Sequence, residues 1–427
     1  VHWVSPLPPA ETDIAHYTAR ILPELAESVD LTLWTDEEDW DPALEAHCPV
    51  RHFEPDRLLP RDLVAAGQKG AAGGEVIFLN IGNYWLYHSG ILALSRRLPA
   101  VVVLHDIAIQ DLFCEAIRYQ RTDRAGYLAG MARWYGAEGE SLARRMLELE
   151  VTPAEVTPKA PGFELTLERA ISALTHTRMA FDSVVSRDLL PVHLLDLPFA
   201  PAAEPPSPER DRDGPLRLVQ FGYIGPNRRL EPVLEVLAGL ADTVDFRFDI
   251  MGKIWDPGHI EDRIAALGLS DRVLVHGFVK EPALDYCLSK AHLVFNLRYP
   301  SVGEASGSQL RIWNAAAAAV VTDTGFYASL PEDTVFKISH AEEAQALREL
   351  ILRIDADRGL GAGIGRAGWD RLQQYHTPKR YAAGIAEVAR QAVADGGRSL
   401  LARRGRDLLA RAPGPSGLLR DRLARQL

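Results

Sequence analysis

Over the first 110 residues, short β-branched and apolar runs alternate with amphipathic stretches, the pattern of a parallel sheet covered by helices. His2-Trp3-Val4-Ser5 reads as the first strand, the apolar spacing from Ile14 to Leu25 as a helix, and Leu31-Thr32-Leu33-Trp34 as the next strand. Val76-Ile77-Phe78-Leu79 and Val101-Val102-Val103-Leu104 continue the series, each ending in polar residues where open α/β sheets build their sites. From about 107 to 172 the alternation gives way to long helical spacing with an irregular, Pro-containing piece from Thr152 to Phe163, which predicts a helical insertion. A second alternation then begins. Leu216–Phe221, Phe246–Met251, Val273–Gly277 and Leu293–Leu297 read as strands, Leu230–Leu240 as a helix, and a further helix and strand run from Ser306 through Val320-Val321-Thr322.

These patterns predict an α/β chain with an N-terminal domain at 1–200, a Pro-rich and charged linker at 201–215, a C-terminal domain at 216–385 and a helical tail at 386–427. The tail is Arg-rich, is broken by Pro413, Gly414 and Pro415, and reads either as a solvated helix pair or as a peripheral membrane anchor. Composition narrows the picture. At 427 residues and 47% hydrophobic, the chain can bury two cores, while a net charge of -11 argues against nucleic acid as a partner. Cys48, Cys114 and Cys287 are too scattered for a zinc cluster or disulfide framework, and no apolar run approaches the ~20 residues of a membrane span. Because the sequence also opens directly on a strand without a signal-peptide pattern, the expected location is the cytoplasm, with the inner membrane face reachable through the tail.

Candidate chemistry lies at two turns of the second half. Asn296 to Ser308 is a strand running into a small-residue turn and an apolar helix, so the amides at Ser306, Gly307 and Ser308 are suited to a diphosphate. Glu304 beside that anion suits sugar hydroxyls; alternatively Ser306 only caps the helix and Glu304 is solvated. Phe221 to Arg229 offers Gly222 and Gly225 for close backbone approach, with Asn227, Arg228 and Arg229 as polar contacts, although paired arginines are also common on surfaces. In the first half, His105 at a strand end is either a ligand contact oriented by Asp106 or a hydrogen-bonded core residue, and His176 either lines the same place or caps a helix. Asn83 follows another strand end. Asp323 reads as a turn residue. Asp211-Arg212-Asp213 falls in the linker and Asp355-Ala356-Asp357 at a helix end, so no strand-end Asp-x-Asp offers a metal site. No Gly-x-Gly-x-x-Gly follows the first strand, which argues against a Rossmann oxidoreductase.

Taken in order, these segments resemble glycosyltransferase family 4 of the GT-B fold over most of residues 1–390. Gly222 and Arg228 match that family's strand-end glycine and the phosphate-binding base six residues later, with Arg in place of the commoner Lys. Glu304, Ser306 and Gly307 match its acidic residue and Ser-Gly turn. Further likeness lies in Val275-His276-Gly277-Phe278, Val320 to Gly325, Ser5 to Pro9 with Ile14 to Tyr17, Asn80 to Asn83, Val103 to Asp106 and His176-Thr177-Arg178.

The resemblance implies two Rossmann-like domains facing across a cleft and a retaining transfer of a hexose-type sugar from a nucleotide diphosphate-sugar to a glycan or glycoconjugate, as in polysaccharide biosynthesis. Neither cofactor nor metal is expected. Arg228 and the Ser306 to Ser308 amides would hold the diphosphate, Glu304 the sugar hydroxyls, and His105 would contact the sugar, with Asn83, Asp106 and His176 lining the acceptor side. Two departures stand out: the family's second Glu, a ribose contact, is here Ile312, and its glycine-rich first loop is Pro8 to Asp13. These leave open a binding or regulatory protein without turnover, or a nucleotide-sugar epimerase or phosphorylase on the same fold.

Overall fold

The computed structural model describes residues 1–58, 74–204, 210–211 and 213–411, and places no side chains beyond 397. The described chain forms two compact units. One comprises Val1–Pro198, Val302–Glu304 and the chain from Pro378 onward; the other comprises Phe199–Ser301 and Ala305–Thr377.

The first unit is built on a seven-stranded sheet: β1 (His2–Val4), β2 (Thr32–Thr35), β3 (Val50–His52), β4 (Ile77–Ile81), β5 (Ala100–Leu104), β6 (Ala170–Thr175) and β7 (Val192–Leu194). All pairings are parallel, in the order β3-β2-β1-β4-β5-β6-β7. Such strands are apolar along their length because both faces are covered, and all five residues of β5 are buried. The second unit repeats the plan with β8 (Leu216–Phe221), β9 (Phe246–Met251), β10 (Val273–Gly277), β11 (Leu293–Phe295), β12 (Ala319–Thr322) and β13 (Phe336–Ile338), in the order β10-β9-β8-β11-β12-β13. Both sheets are doubly wound. In each the chain moves outward to one side, then crosses back, so the topological switch lies between β1 and β4 and between β8 and β11. Parallel sheets place ligands outside the carboxyl ends of the strands at that point.

Strands β8, β9 and β10 fall where the sequence pattern put them, while β3, β6, β7 and β13 lie outside the predicted strands. The helical insertion is present as helices Gln110–Arg118, Arg124–Leu147 and Pro153–Val156, but it ends before β6, whose first residues the sequence reading had absorbed into it. The largest difference is at the C-terminus. A single helix, Pro378–Arg411, replaces the expected boundary at 385, and its opening turns are core. Tyr381, Ala382, Ile385, Val388, Ala389 and Ala392 repeat at helical spacing and are buried with Leu7, Tyr17, Ile21 and Leu25 of the first unit. That apolar stripe excludes a fully solvated tail over these turns. Parts of the 201–215 linker, and Pro413 to Pro415, lie outside the described residues.

Candidate functional site: two strand-end polar clusters

At the switch point of the second unit, β8 is followed by Gly222, whose φ of 104° suits glycine and whose amide donates to the Met251 carbonyl. Gly252, after β9, also has positive φ, and a Cβ there would lie 2.0 Å from the Gly222 carbonyl oxygen. The turn then carries Arg228, which is only 4% exposed. Its Nη2 donates to Asn296 Oδ1 at 2.9 Å and to the Phe221 carbonyl at 3.4 Å, while Gln220 Nε2 donates to the Arg228 carbonyl at 2.8 Å. Asn296, one residue past β11, donates in turn to Gln309 Oε1 at 2.9 Å and Ser306 Oγ at 3.4 Å. Tyr327 Oη donates to Ser306 Oγ at 3.0 Å. Five buried polar side chains, Arg228, Asn296, Gln309, Ser306 and Tyr327, are therefore linked directly to one another, and Gln220 on β8 joins them through the Arg228 carbonyl. Buried polar groups are costly unless satisfied, so a connected chain of this kind fixes its members in place.

Ser306 caps that helix by accepting from the Gln309 amide at 3.1 Å, so its hydroxyl is structural while the amides of Gly307 and Ser308, first in the helix, have no intrahelical acceptor. A Cβ at Gly222 would sit 3.7 Å from Ser308 Oγ, which brings the two predicted turns together. Asn227 is exposed, and its carbonyl accepts from the Tyr299 amide at 2.8 Å. Arg229 behaves differently from its neighbour. Its Nε and Nη2 clasp the buried Glu343 carboxylate at 2.9 to 3.3 Å, so its fork is spent on anchoring the loop. Glu304 belongs to the short segment counted with the first unit, and its Oε2 accepts from the Val302 amide at 2.9 Å. Ile312 is fully buried in the helix's core face, so position 312 offers nothing to a ribose.

In the first unit the corresponding position is held by Asn80, the fourth residue of β4 and fully buried. Its Nδ2 donates to the Val4 carbonyl on β1 at 3.0 Å, which orients the amide so that Oδ1 faces His105 Nε2 at 3.0 Å. That contact places the imidazole proton on Nε2 and leaves Nδ1 as a bare acceptor. Burial first, then the neighbouring His176 and His88, hold His105 well below the usual imidazole range, so it is neutral. His88 and His176 are both pushed down to about 4, chiefly by burial. His176 Nδ1 faces the Leu195 carbonyl at 3.1 Å, and Thr177, not His176, caps the following helix. The rings of Tyr17, His105, His176 and Tyr381 pack together with centroids 4.8 to 5.8 Å apart, and the two tyrosine hydroxyls are hydrogen-bonded to each other.

Asp106 follows His105 and braces the neighbouring loop. Its Oδ2 accepts from the Asn83 amide at 3.0 Å, and Asn83 uses its side chain to grip Asp111 at 2.7 Å and the Leu112 amide at 3.1 Å. Asn83 is thus a strut beneath the loop. Among the described residues, no group of three or more His, Cys, Asp or Glu side chains is placed to hold a metal ion. A cavity of about 420 Å³ lined by Asp30, Glu75 and Arg390 lies at the opposite, N-terminal ends of β1 and β2 and touches none of these groups.

Known structures share this architecture. Sucrose-phosphate synthase from Thermosynechococcus elongatus is 17% identical, with a TM-score of 0.58 over 92% of this chain and 98% of that one. HepE from Anabaena, in complex with UDP and glucose, is 13% identical, with a TM-score of 0.58 over 91% of this chain and 98% of its own. The same protein with UDP-glucose gives 12% identity and a TM-score of 0.55 over 93% and 99%. The fold is that of the GT-B glycosyltransferases. No protein-family model matches the chain, and no curated protein matches it in sequence.

Within that fold, the sequence had marked Gly222, Arg228, Ser306, Gly307, Ser308, His105 and His176. It gave no role to Asn80, Asn296, Gln220, Gln309, Tyr17 or Tyr381. An amide closing an apolar strand, as in Phe78-Leu79-Asn80 and Val294-Phe295-Asn296, is the one signal that could have found the first two.

Proposed function

We propose that the chain is a glycosyltransferase that moves a hexose-type sugar from a nucleotide diphosphate-sugar to a saccharide or glycoconjugate acceptor, with retention and without a metal. The observation that carries this reading is Arg228, a guanidinium fixed among buried neutral amides beside Gly222 and the first amides of the Gly307–Asn314 helix. A fixed cation and a helix N-terminus at a switch point form a site for a diphosphate. The same groups would neutralise the charge that grows on the departing diphosphate, which is usually the largest contribution to the rate.

Glu304 would hold sugar hydroxyls, and His105 Nδ1 would accept from a hydroxyl of the transferred sugar. The UDP and glucose bound by HepE support a uridine nucleotide and a hexose as the first donors to try. Arg229 and Asn83 are assigned to positioning, because both are committed to neighbouring protein groups.

The test is calorimetric titration and thermal shift with UDP, GDP, ADP and UDP-glucose. One diphosphate is expected to bind and raise the melting temperature, and Arg228→Ala should remove that binding. If none binds wild-type protein, the chain is a two-unit shell without turnover, a reading that the burial of Ile312 favours.

A further inference from the structure

The first unit also exposes aromatic side chains that the donor chemistry leaves unused. Tyr84 precedes the helix Trp85–Ser95, and Tyr119 closes the helix Gln110–Arg118. Trp85 and Tyr119 lie face to face, with centroids 4.2 Å apart and planes 11° from parallel, and Tyr84 meets Tyr87 edge-on at 5.4 Å. Tyr84, Leu86 and Tyr119 remain 54%, 50% and 53% exposed. Scattered apolar residues on a surface need no explanation, but stacked rings gathered on two adjacent helices mark an interaction site.

Its position and polar neighbours indicate the occupant. Asn83, the residue before Tyr84, binds both Asp106, next to His105, and Asp111. The rings therefore continue the strand-end loop that carries His105. Asp111 is exposed at the edge of the patch, and Glu115 pairs there with Arg118 at 3.1 Å. An anionic bilayer would call for an excess of Lys and Arg around such rings, whereas the charges here are Asp111 and a Glu115 already paired with Arg118. Flat rings with amphipathic hydroxyls beside a carboxylate instead match a pyranose, which has apolar C–H faces and a girdle of hydroxyl donors.

Resting on the glycosyltransferase reading, we propose that Tyr84, Trp85 and Tyr119 form an acceptor subsite for a saccharide chain, with a pyranose face against the exposed rings and its hydroxyls donating to Asp111. The subsite selects a sugar acceptor over a lipid or protein one.

The experiment uses the full chain and three neutral probes, maltotriose, cellotriose and N,N′,N″-triacetylchitotriose, followed by saturation-transfer NMR. UDP titration runs alongside, and sedimentation with phosphatidylglycerol–phosphatidylethanolamine vesicles tests the competing surface. At least one trisaccharide should bind, and Tyr84→Ala and Tyr119→Ala should each weaken it roughly tenfold, the loss of about one ring contact. UDP affinity should not change in either variant. No binding by any of the three, binding indifferent to both substitutions, or vesicle binding abolished by them would overturn the subsite. Failure of UDP to bind wild-type protein would overturn the donor reading instead, and would leave the saccharide result to stand by itself.

Discussion

The two sheets solve the same topological problem with an asparagine and then use it for opposite chemistry. Asn80 and Asn296 are both fully buried, each at or just past the end of the first strand beyond the switch. Asn296 accepts from a guanidinium and passes the chain of hydrogen bonds to a helix N-terminus. Asn80 accepts from an imidazole that burial keeps neutral. In the function proposed above, one end would receive negative charge and the other a hydroxyl. A shared scaffold does not carry a shared function; the side chain that the amide braces decides it.

Acidification should break the comparison hardest, because only imidazoles held neutral by the fold resist protonation. His88 and His176 are near 4 in the folded chain against 6.5 when exposed, so the unfolded state binds more protons in that window. Stability should rise with pH from about 4 to 6.5 and fall on the way down. Each histidine contributes a loss of order 3 kcal/mol by pH 4. Urea denaturation from pH 7 to 4.5 measures this, and a flat profile would mean that the imidazoles are solvated. Arg228→Ala comes next. It strips a donor from Asn296 Oδ1 and the Phe221 carbonyl, and should cost roughly 3 kcal/mol of stability with most of the nucleotide affinity. Arg228→Lys, a point charge without the fork, should recover part of the affinity in the same titration.

Asn80→Ala sharpens the other side of the comparison. Without its acceptor, His105 no longer holds a single tautomer, and kcat should drop about tenfold while UDP affinity stays constant. A parallel fall in UDP affinity would show that the histidine cluster serves the nucleotide. The smallest effect belongs to Arg229→Ala: about 1–2 kcal/mol of stability, from leaving the buried Glu343 carboxylate with only His340 beside it at 3.6 Å, with UDP affinity unchanged. Adjacent arginines with such different outcomes would separate a ligand-facing guanidinium from an anchoring one.

Legibility along the chain followed the range of the interactions. Strands β8 to β10 could be read because each carries apolar residues at alternate or successive positions between turn residues. Strand β6 was hidden because Ala170-Ile171-Ser172-Ala173-Leu174-Thr175 alternates weakly and follows directly on helices, and β3, β7 and β13 are three-residue strands with a polar residue at the centre, Arg51, His193 and Lys337. At the site, Gly222, Arg228 and Ser306 stood out through local turn chemistry. Tyr17 and Tyr381 are 364 residues apart, and no window of sequence joins them. The partnership of Arg229 with Glu343 was equally invisible, spanning 114 residues.

The returning helix also sets an order of manufacture. A chain growing from its N-terminus can complete the second sheet, β8 to β13, before Pro378 has been made. The earlier sheet must wait, with Tyr17, Ile21 and Leu25 uncovered, until Tyr381, Ile385 and Val388 emerge to cover them. A gene cut after residue 200 would therefore yield a half with an open seam, and the portion translated first is the portion finished last.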